Sequence, residues 1–276
     1  MFTFFAGKGI LTFGMDLRGF GQTYKLQYED LVNPNKSHNS DHPIMEGYSQ
    51  FPTLLKDLHE LERLSREYTE RPLPTFLFGH SMGALVMLKY ALADHEPRLR
   101  VDGIIAQSSA IRTINPIPPH IVTVLSVVSL VPRIGRYTHH TKLDLSDLSE
   151  AEAQEILENP LLHRMICLRL VKDIVDAQRE IQARLDEYDM PMLIAHAEND
   201  KITSFNGSFE FFQKAPSRDK EFLRLENGTR HAIHLAKGKK DWLFEKYSSW
   251  ILQRAAPPFD FSHHFPFSVF GIPPLN

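Results

Sequence analysis

The stretch "LPTFLFGHSMGALVMLKYA", Leu73 to Ala91, decides the fold. An apolar run breaks at Gly79-His80-Ser81-Met82-Gly83 and then continues as a strong helix former from Met82 to Ala93. A buried strand has no use for a serine with glycine two residues before and two residues after it. A sharp strand-to-helix turn that must expose that serine has. Glycine at both places would remove side chains that collide where the helix packs close to the strand. A strand, then G-x-S-x-G, then a helix lifts the serine hydroxyl above the sheet. The Met82 backbone N–H then points where an oxyanion would form, helped by the helix dipole.

A serine hydroxyl is a poor nucleophile without a base. In this strand–turn–helix context the partners follow along the chain as an acid and then a histidine. "LIAHAENDKIT", Leu193 to Thr203, offers Glu198 and Asp200. Asp200 lies at the expected turn, with Ile202 resuming apolar character, and is the preferred acid. Four histidines come later: His231, His234, His263 and His264. His231 sits in "ENGTRHAIH", a loop directly after the last expected strand, and is the preferred base. His234 is the second choice, and the pair in the tail reads as solvated.

Working outward, "GILTFGMDL" reads as a buried strand from Ile10 to Asp16. Between Tyr48 and Glu70, Phe51, Leu54, Leu55, Leu58, Leu61, Leu64 and Tyr68 recur at helical spacing. "TFLFG", "VDGIIAQ", "PMLIAHAEND" and "KEFLRLENG" read as strands, with helices at Phe205–Lys214 and Lys240–Arg254. Residues 112 to about 185 give helical signals only, including "IVTVLSVVSLV" from Ile121 to Val131 and a candidate N-cap at Ser149. Strand–helix alternation interrupted by a helical insert reads as an α/β fold, an open and mostly parallel sheet with a lid. The expected division is a first core part at 1–111, a helical cap at 112–185, a second core part at 186–256 and a Phe/Pro-rich tail at 257–276.

Bulk properties exclude several classes. The chain has 276 residues, 42% hydrophobic and 24% charged, which suits a large globular domain. A formal net charge of -3 gives no reason to expect nucleic acid as a partner. The single cysteine, Cys167, forbids an internal disulfide and fits a reducing compartment, so a cytoplasmic location is expected. No run approaches the ~18 apolar residues of a membrane span, and "MFTFFAGKGILTFG" lacks the basic start of a signal peptide.

Taken in order, "GMDLRGFGQT", "FLFGHSMGALVMLKYAL", "LENPLLHRM", "LIAHAENDKIT" and "NGTRHAIH" resemble the monoglyceride lipase and lysophospholipase group of α/β-hydrolases. That group is classed with the serine aminopeptidase S33-like hydrolases. The resemblance runs from about residue 7 to 254. It implies the α/β-hydrolase fold with a helical cap, and hydrolysis of the ester of a single-chain acyl lipid without metal or cofactor. It also implies Ser81 as nucleophile, Asp200 as acid and His231 as base. S33-type peptidase, thioesterase and catalytically impaired lipid-binding relic are the alternatives. Two departures stand out. The His-Gly loop that supplies the group's other oxyanion donor, with the N-terminal strands around it, is absent from this sequence, and Ala84 replaces a common third glycine. An acyl chain leaving water gains roughly 0.8 kcal/mol per methylene. Val124, Val127 and Val128 are therefore candidate substrate-lining residues, with peripheral contact to membrane or a lipid droplet through the same run. Asp16 and Arg18 read as anchors of the turn after the first strand, His80 as a residue that orients backbone, and Cys167 as core packing.

Overall fold

A computed structural model describes residues 1–23, 50–69, 73–92, 101–131, 138–140, 150–159, 161–162, 165–226, 229–236 and 238–255. The helices are α1 (Phe2–Ala6), α2 (Phe51–Tyr68), α3 (Met82–Leu92), α4 (Pro119–Val128), α5 (Glu150–Glu158), α6 (Leu168–Ala183), α7 (Phe205–Lys214) and α8 (Lys240–Arg254). The strands are β1 (Phe76–His80), β2 (Gly103–Gln107), β3 (Thr138–His140), β4 (Met165–Cys167), β5 (Met192–Ala197) and β6 (Lys220–Leu225). Four of them form one parallel sheet in the order β1-β2-β5-β6.

The sequence explains the layering. "GIIAQ" and "MLIAHA" are buried at every position, as strands covered on both faces must be. The period of two then sorts their side chains. Ile104, Ala106, Met192 and Ile194 join a core with α2, α3, α6 and α7. Ile105, Leu193, Ala195 and Ala197 join a second core with Phe5 of α1 and Leu243, Phe244, Tyr247 and Trp250 of α8. Each such large side chain contributes roughly 1.5–3 kcal/mol by leaving water. Helix α3 is apolar nearly all round because it is enclosed by the sheet, α2 and α6. The hydroxyl of buried Tyr188 donates to the Leu88 carbonyl at 2.8 Å and ties the chain before β5 to α3.

Two sequence expectations need correction. Residues 10–16 are not a strand. None of the described strands pairs with them, and a strand without a ladder has no hydrogen-bond partner. Ile10 instead packs on the α8 core, while Leu11 and Phe13 are exposed. Residues 112–185 are not helical throughout. Thr138–His140 and Met165–Cys167 pair antiparallel, in segments too short for periodicity to reveal. The amino-terminal "FTFFA" is helix α1, which packs Phe4 and Phe5 against Phe244. Ser149, His263 and His264 lie outside the described residues.

The run from Ile121 to Val131 splits into two faces. Val122, Leu125 and Ser129 are buried, while Val124 is 56% exposed, Val127 64% and Leu130 70%. Val124 and Val127 are thus outward-facing and do not line an enclosed acyl channel, and Val128 is half-buried. The helical period dictates this. The buried side of α4 is set by its packing on α6, and residues three apart on the other side follow it outward.

Candidate active site

The C-terminal ends of the parallel strands supply the site. Ser81 follows β1, Ser108 follows β2 and Asp200 lies three residues past β5. Ser81 has φ 55°, a left-handed conformation that costs an L-residue roughly 1–2 kcal/mol. Its N–H donates to the Gln107 carbonyl at 2.9 Å, and its carbonyl accepts from Ala110 N–H at 3.2 Å. Gln178 of α6 in turn donates to the Ala110 carbonyl at 2.7 Å.

The glycines divide the work unequally. A Cβ on Gly79 would lie 2.6 Å from the Gly83 backbone carbon and oxygen and 2.7 Å from Ala84 N. A Cβ on Gly83 would meet nothing within 4 Å. The expectation that both relieve collision therefore holds for Gly79 alone. Gly83 is the backbone that Gly79 packs against.

Ser81, His231 and Asp200 form one hydrogen-bonded chain. His231 Nε2 is 2.9 Å from Ser81 Oγ, and His231 Nδ1 is 2.8 Å from Asp200 Oδ2. Asp200 Oδ1 accepts from the N–H groups of Ile202 at 2.8 Å and Thr203 at 2.9 Å. Its Oδ2 also accepts from the Thr203 hydroxyl at 2.7 Å and lies 3.3 Å from His196 Nε2. Burial would raise the Asp200 carboxyl. The hydrogen bonds from His196, His231 and Thr203, with the positive charge that His231 gains on protonation, outweigh it and hold Asp200 far below the usual carboxylate range. A carboxylate fixed this way presents an acceptor to His231 Nδ1–H, which leaves Nε2 free to accept the serine proton. Ser108, at φ 43°, donates its hydroxyl to the His231 carbonyl at 2.9 Å and fixes that loop.

Met82 opens α3, so its N–H is among those at a helix start that have no partner within the helix. It adjoins the serine on the side where the dipole favours negative charge.

The other candidates fall elsewhere. Glu198 pairs with Arg224. Asp16 accepts from Gln22 N–H at 2.7 Å and closes its turn, whereas Arg18 leaves the turn for a two-pronged pair with Asp57 of α2 at 2.6 and 2.8 Å. Cys167 is buried, and its sulfur accepts from Leu170 N–H at 3.4 Å at the start of α6.

His234 does not reach the serine. It lies on a short 3₁₀ turn, Ile233–Leu235, with Nδ1 2.8 Å from Gln107 Nε2. His80 Nδ1 is 3.0 Å from the same amide nitrogen, and its ring centroid is 4.7 Å from those of both His231 and His234. Gln107 Oε1 accepts from the Tyr247 hydroxyl at 3.0 Å. Burial, with His234 and His231 beside it, holds the His80 imidazole well below its ordinary value. Burial, with His231, Lys240 and the Met1 amino group, brings His234 down to about 4. Burial also holds the Tyr247 phenol well above its usual range, so it remains a donor. Gln107, Thr203, His196 and Ser108 were not singled out from sequence. Only Thr203 carried a signal, as the hydroxyl three residues after an aspartate at a turn.

Comparison with known proteins identifies the family. Residues 1–237 match the family described as serine aminopeptidase, S33. A Schizosaccharomyces pombe relative is 26% identical over 254 residues, covering 91% of this chain and 62% of that protein, so the chain spans about three fifths of its length. The monoglyceride lipase of Saccharomyces cerevisiae is 24% identical over 271 aligned positions, covering 85% of this chain and 82% of that one. Among solved structures, the Paleococcus ferrophilus monoacylglycerol lipase superposes with a TM-score of 0.63 at 21% identity, covering 75% of this chain and 76% of that one. With the sheet order, the strained serine and the family match over most of its length, the chain belongs to the serine aminopeptidase S33 family of α/β-hydrolases.

Proposed function

We propose that the protein is a serine ester hydrolase acting on single-chain acyl lipids, a monoacylglycerol or a lysophospholipid. The observation that carries this reading is the continuous chain Ser81 Oγ–His231 Nε2 and His231 Nδ1–Asp200 Oδ2, at 2.9 and 2.8 Å. His231 removes the Ser81 proton as Oγ attacks the ester carbonyl. The Met82 N–H stabilises the oxyanion, and His231 returns the proton to the departing alcohol. Water activated by His231 then cleaves the acyl-enzyme, and the fatty acid leaves. Asp200 stays ionised throughout and holds the imidazolium in place.

Distant kinship to monoglyceride lipases supports the lipid ester as substrate. The outward stripe of Ile121, Val124, Val127 and Leu130 on α4 supports delivery from a lipid surface, where apolar side chains gain by leaving water. No helix among the described residues is long and apolar enough to cross a membrane.

The test is labelling of the folded chain with a fluorophosphonate and mapping of the adduct by mass spectrometry. The expected adduct is on Ser81. Turnover should then rank monooleoylglycerol or lysophosphatidylcholine above a peptide anilide and an acyl thioester. A folded protein that takes no label on Ser81 would overturn the enzymatic reading, and a faster peptide or thioester would overturn the substrate class.

A further inference from the structure

The base His231 does not stand alone. Its ring lies beside that of His80, which in turn lies beside that of His234, with centroids 4.7 Å apart in each pair. Register brings the group to Gln107, because His80 of β1 is the direct partner of Gln107 in β2. The amide nitrogen of Gln107 faces both His80 Nδ1, at 3.0 Å, and His234 Nδ1, at 2.8 Å. Its oxygen is turned away by the Tyr247 hydroxyl at 3.0 Å. An amide NH₂ has two hydrogens, and each ring nitrogen facing it must accept one. Both Nδ1 atoms are then bare, and both rings carry their proton on Nε2.

We propose that Gln107, oriented by Tyr247, is a positioning residue that holds His80 and His234 as neutral Nε2–H imidazoles, so that no second cation forms beside His231. The inference rests on His231 acting as the base. Protonating either neighbour at Nδ1 would set N–H against N–H and break its bond to Gln107. The imidazolium that forms on His231 during acyl transfer would meet a like charge if His80, at a centroid distance of 4.7 Å, could ionise. Asp200 is the one anion named among the charged and titratable groups around the pair. Asp200 and His231 face His80, while His231, Lys240 and the Met1 amino group face His234. Apart from Asp200 these are cationic or able to become so, and burial adds to their effect.

The test uses ¹⁵N-histidine-labelled protein and two-bond ¹H–¹⁵N correlation spectra, with His80 and His234 assigned through their backbone resonances. At neutral pH both should show a bare Nδ1 and a protonated Nε2. An Nδ1–H on either ring, the pattern of a reversed amide, would overturn the proposal. In Gln107→Glu a carboxylate faces the two bare nitrogens and can donate to neither. At least one ring should then carry Nδ1–H at pH 7, either by shifting its proton from Nε2 or by taking up a second one. Two rings with bare Nδ1 atoms in that variant would equally overturn it. If Gln107→Glu does not fold, the spectrum of the parent protein decides. The spectra need no substrate, so they separate failure of this inference from failure of the hydrolase reading, which active-site labelling tests.

Discussion

Gly79 and Gly83 look equivalent in a G-x-S-x-G motif, but the structure separates them by several kcal/mol. Replacing Gly79 with alanine puts a methyl 2.6 Å from backbone atoms of Gly83, where ordinary contact begins at 3.4 Å. The deficit is about 0.8 Å, and it lies between the main chains of β1 and α3, so no side chain can swing away. Overpacking of that kind costs roughly 1–3 kcal/mol. Relief would have to come from moving α3, and with it the Met82 N–H, away from the serine. A misplacement near 1 Å costs on the order of a hundredfold in rate. Gly83→Ala meets nothing within 4 Å and lies in the first turn of α3, where alanine gains roughly 0.5–1 kcal/mol over glycine. Together the two variants should differ by roughly 1.5–4 kcal/mol, which for a chain of this size separates their melting temperatures by roughly 3–16 °C. Differential scanning calorimetry reads the stability, and hydrolysis of p-nitrophenyl butyrate reads the site. Equal melting temperatures, or Gly83→Ala melting lower, would refute the assignment of the close approach to Gly79.

Ser81→Gly and Ser81→Ala should both be inactive, but the glycine variant should unfold at higher denaturant by roughly 1 kcal/mol because φ 55° no longer carries a Cβ; the reverse order would show that the turn is unstrained. His234 has a folded-state pKa of about 4 against an ordinary 6.5, so the unfolded chain takes up its proton first as pH falls. Stability from this group is complete above pH 6.5 and is lost on going down to pH 4, by roughly 3 kcal/mol, and His234→Gln should flatten that slope in urea titrations. Replacing Val124 and Val127 with serine should depress turnover of emulsified long-chain esters more than that of a short soluble one, and equal loss at all chain lengths would mean that α4 acts only in folding.

Legibility followed the range of the interactions. Strands β2 and β5 were readable because burial on both faces leaves uninterrupted apolar runs, and α7 and α8 because one buried face repeats along each. The grouping of Ser81, Asp200 and His231 was readable because each lies within a few residues after an expected strand, so chain order stands in for space. Gln107 was not readable. It ends an apolar strand and looks like the point where burial stops, yet it is fully buried. Its partners are a residue 27 positions earlier, another 127 later and a third 140 later, brought together by register and by the packing of α8. Residues 10–16 misled for the opposite reason. Their composition suits a strand, but strand formation depends on a neighbour that composition cannot supply.

The strain in the site and its hydrogen bonding are parts of one arrangement. Ser81 and Ser108 both adopt positive φ, immediately after the neighbouring strands β1 and β2. Each conformation is unfavourable on its own and persists only where the surroundings over-determine it. Ser81 is held by Gln107, Ala110 and Leu85 through its backbone. Ser108 is held by Ala195 through its N–H and reaches His231 with its hydroxyl. The two strained residues therefore clamp opposite ends of the same contact, one carrying the hydroxyl and the other fixing the loop that carries the imidazole. Relaxing either turn would lengthen the 2.9 Å approach of His231 Nε2 to Ser81 Oγ. Proton transfer depends on that approach. The sheet resists the relaxation because both turns continue paired strands whose opposite faces are packed against two separate cores.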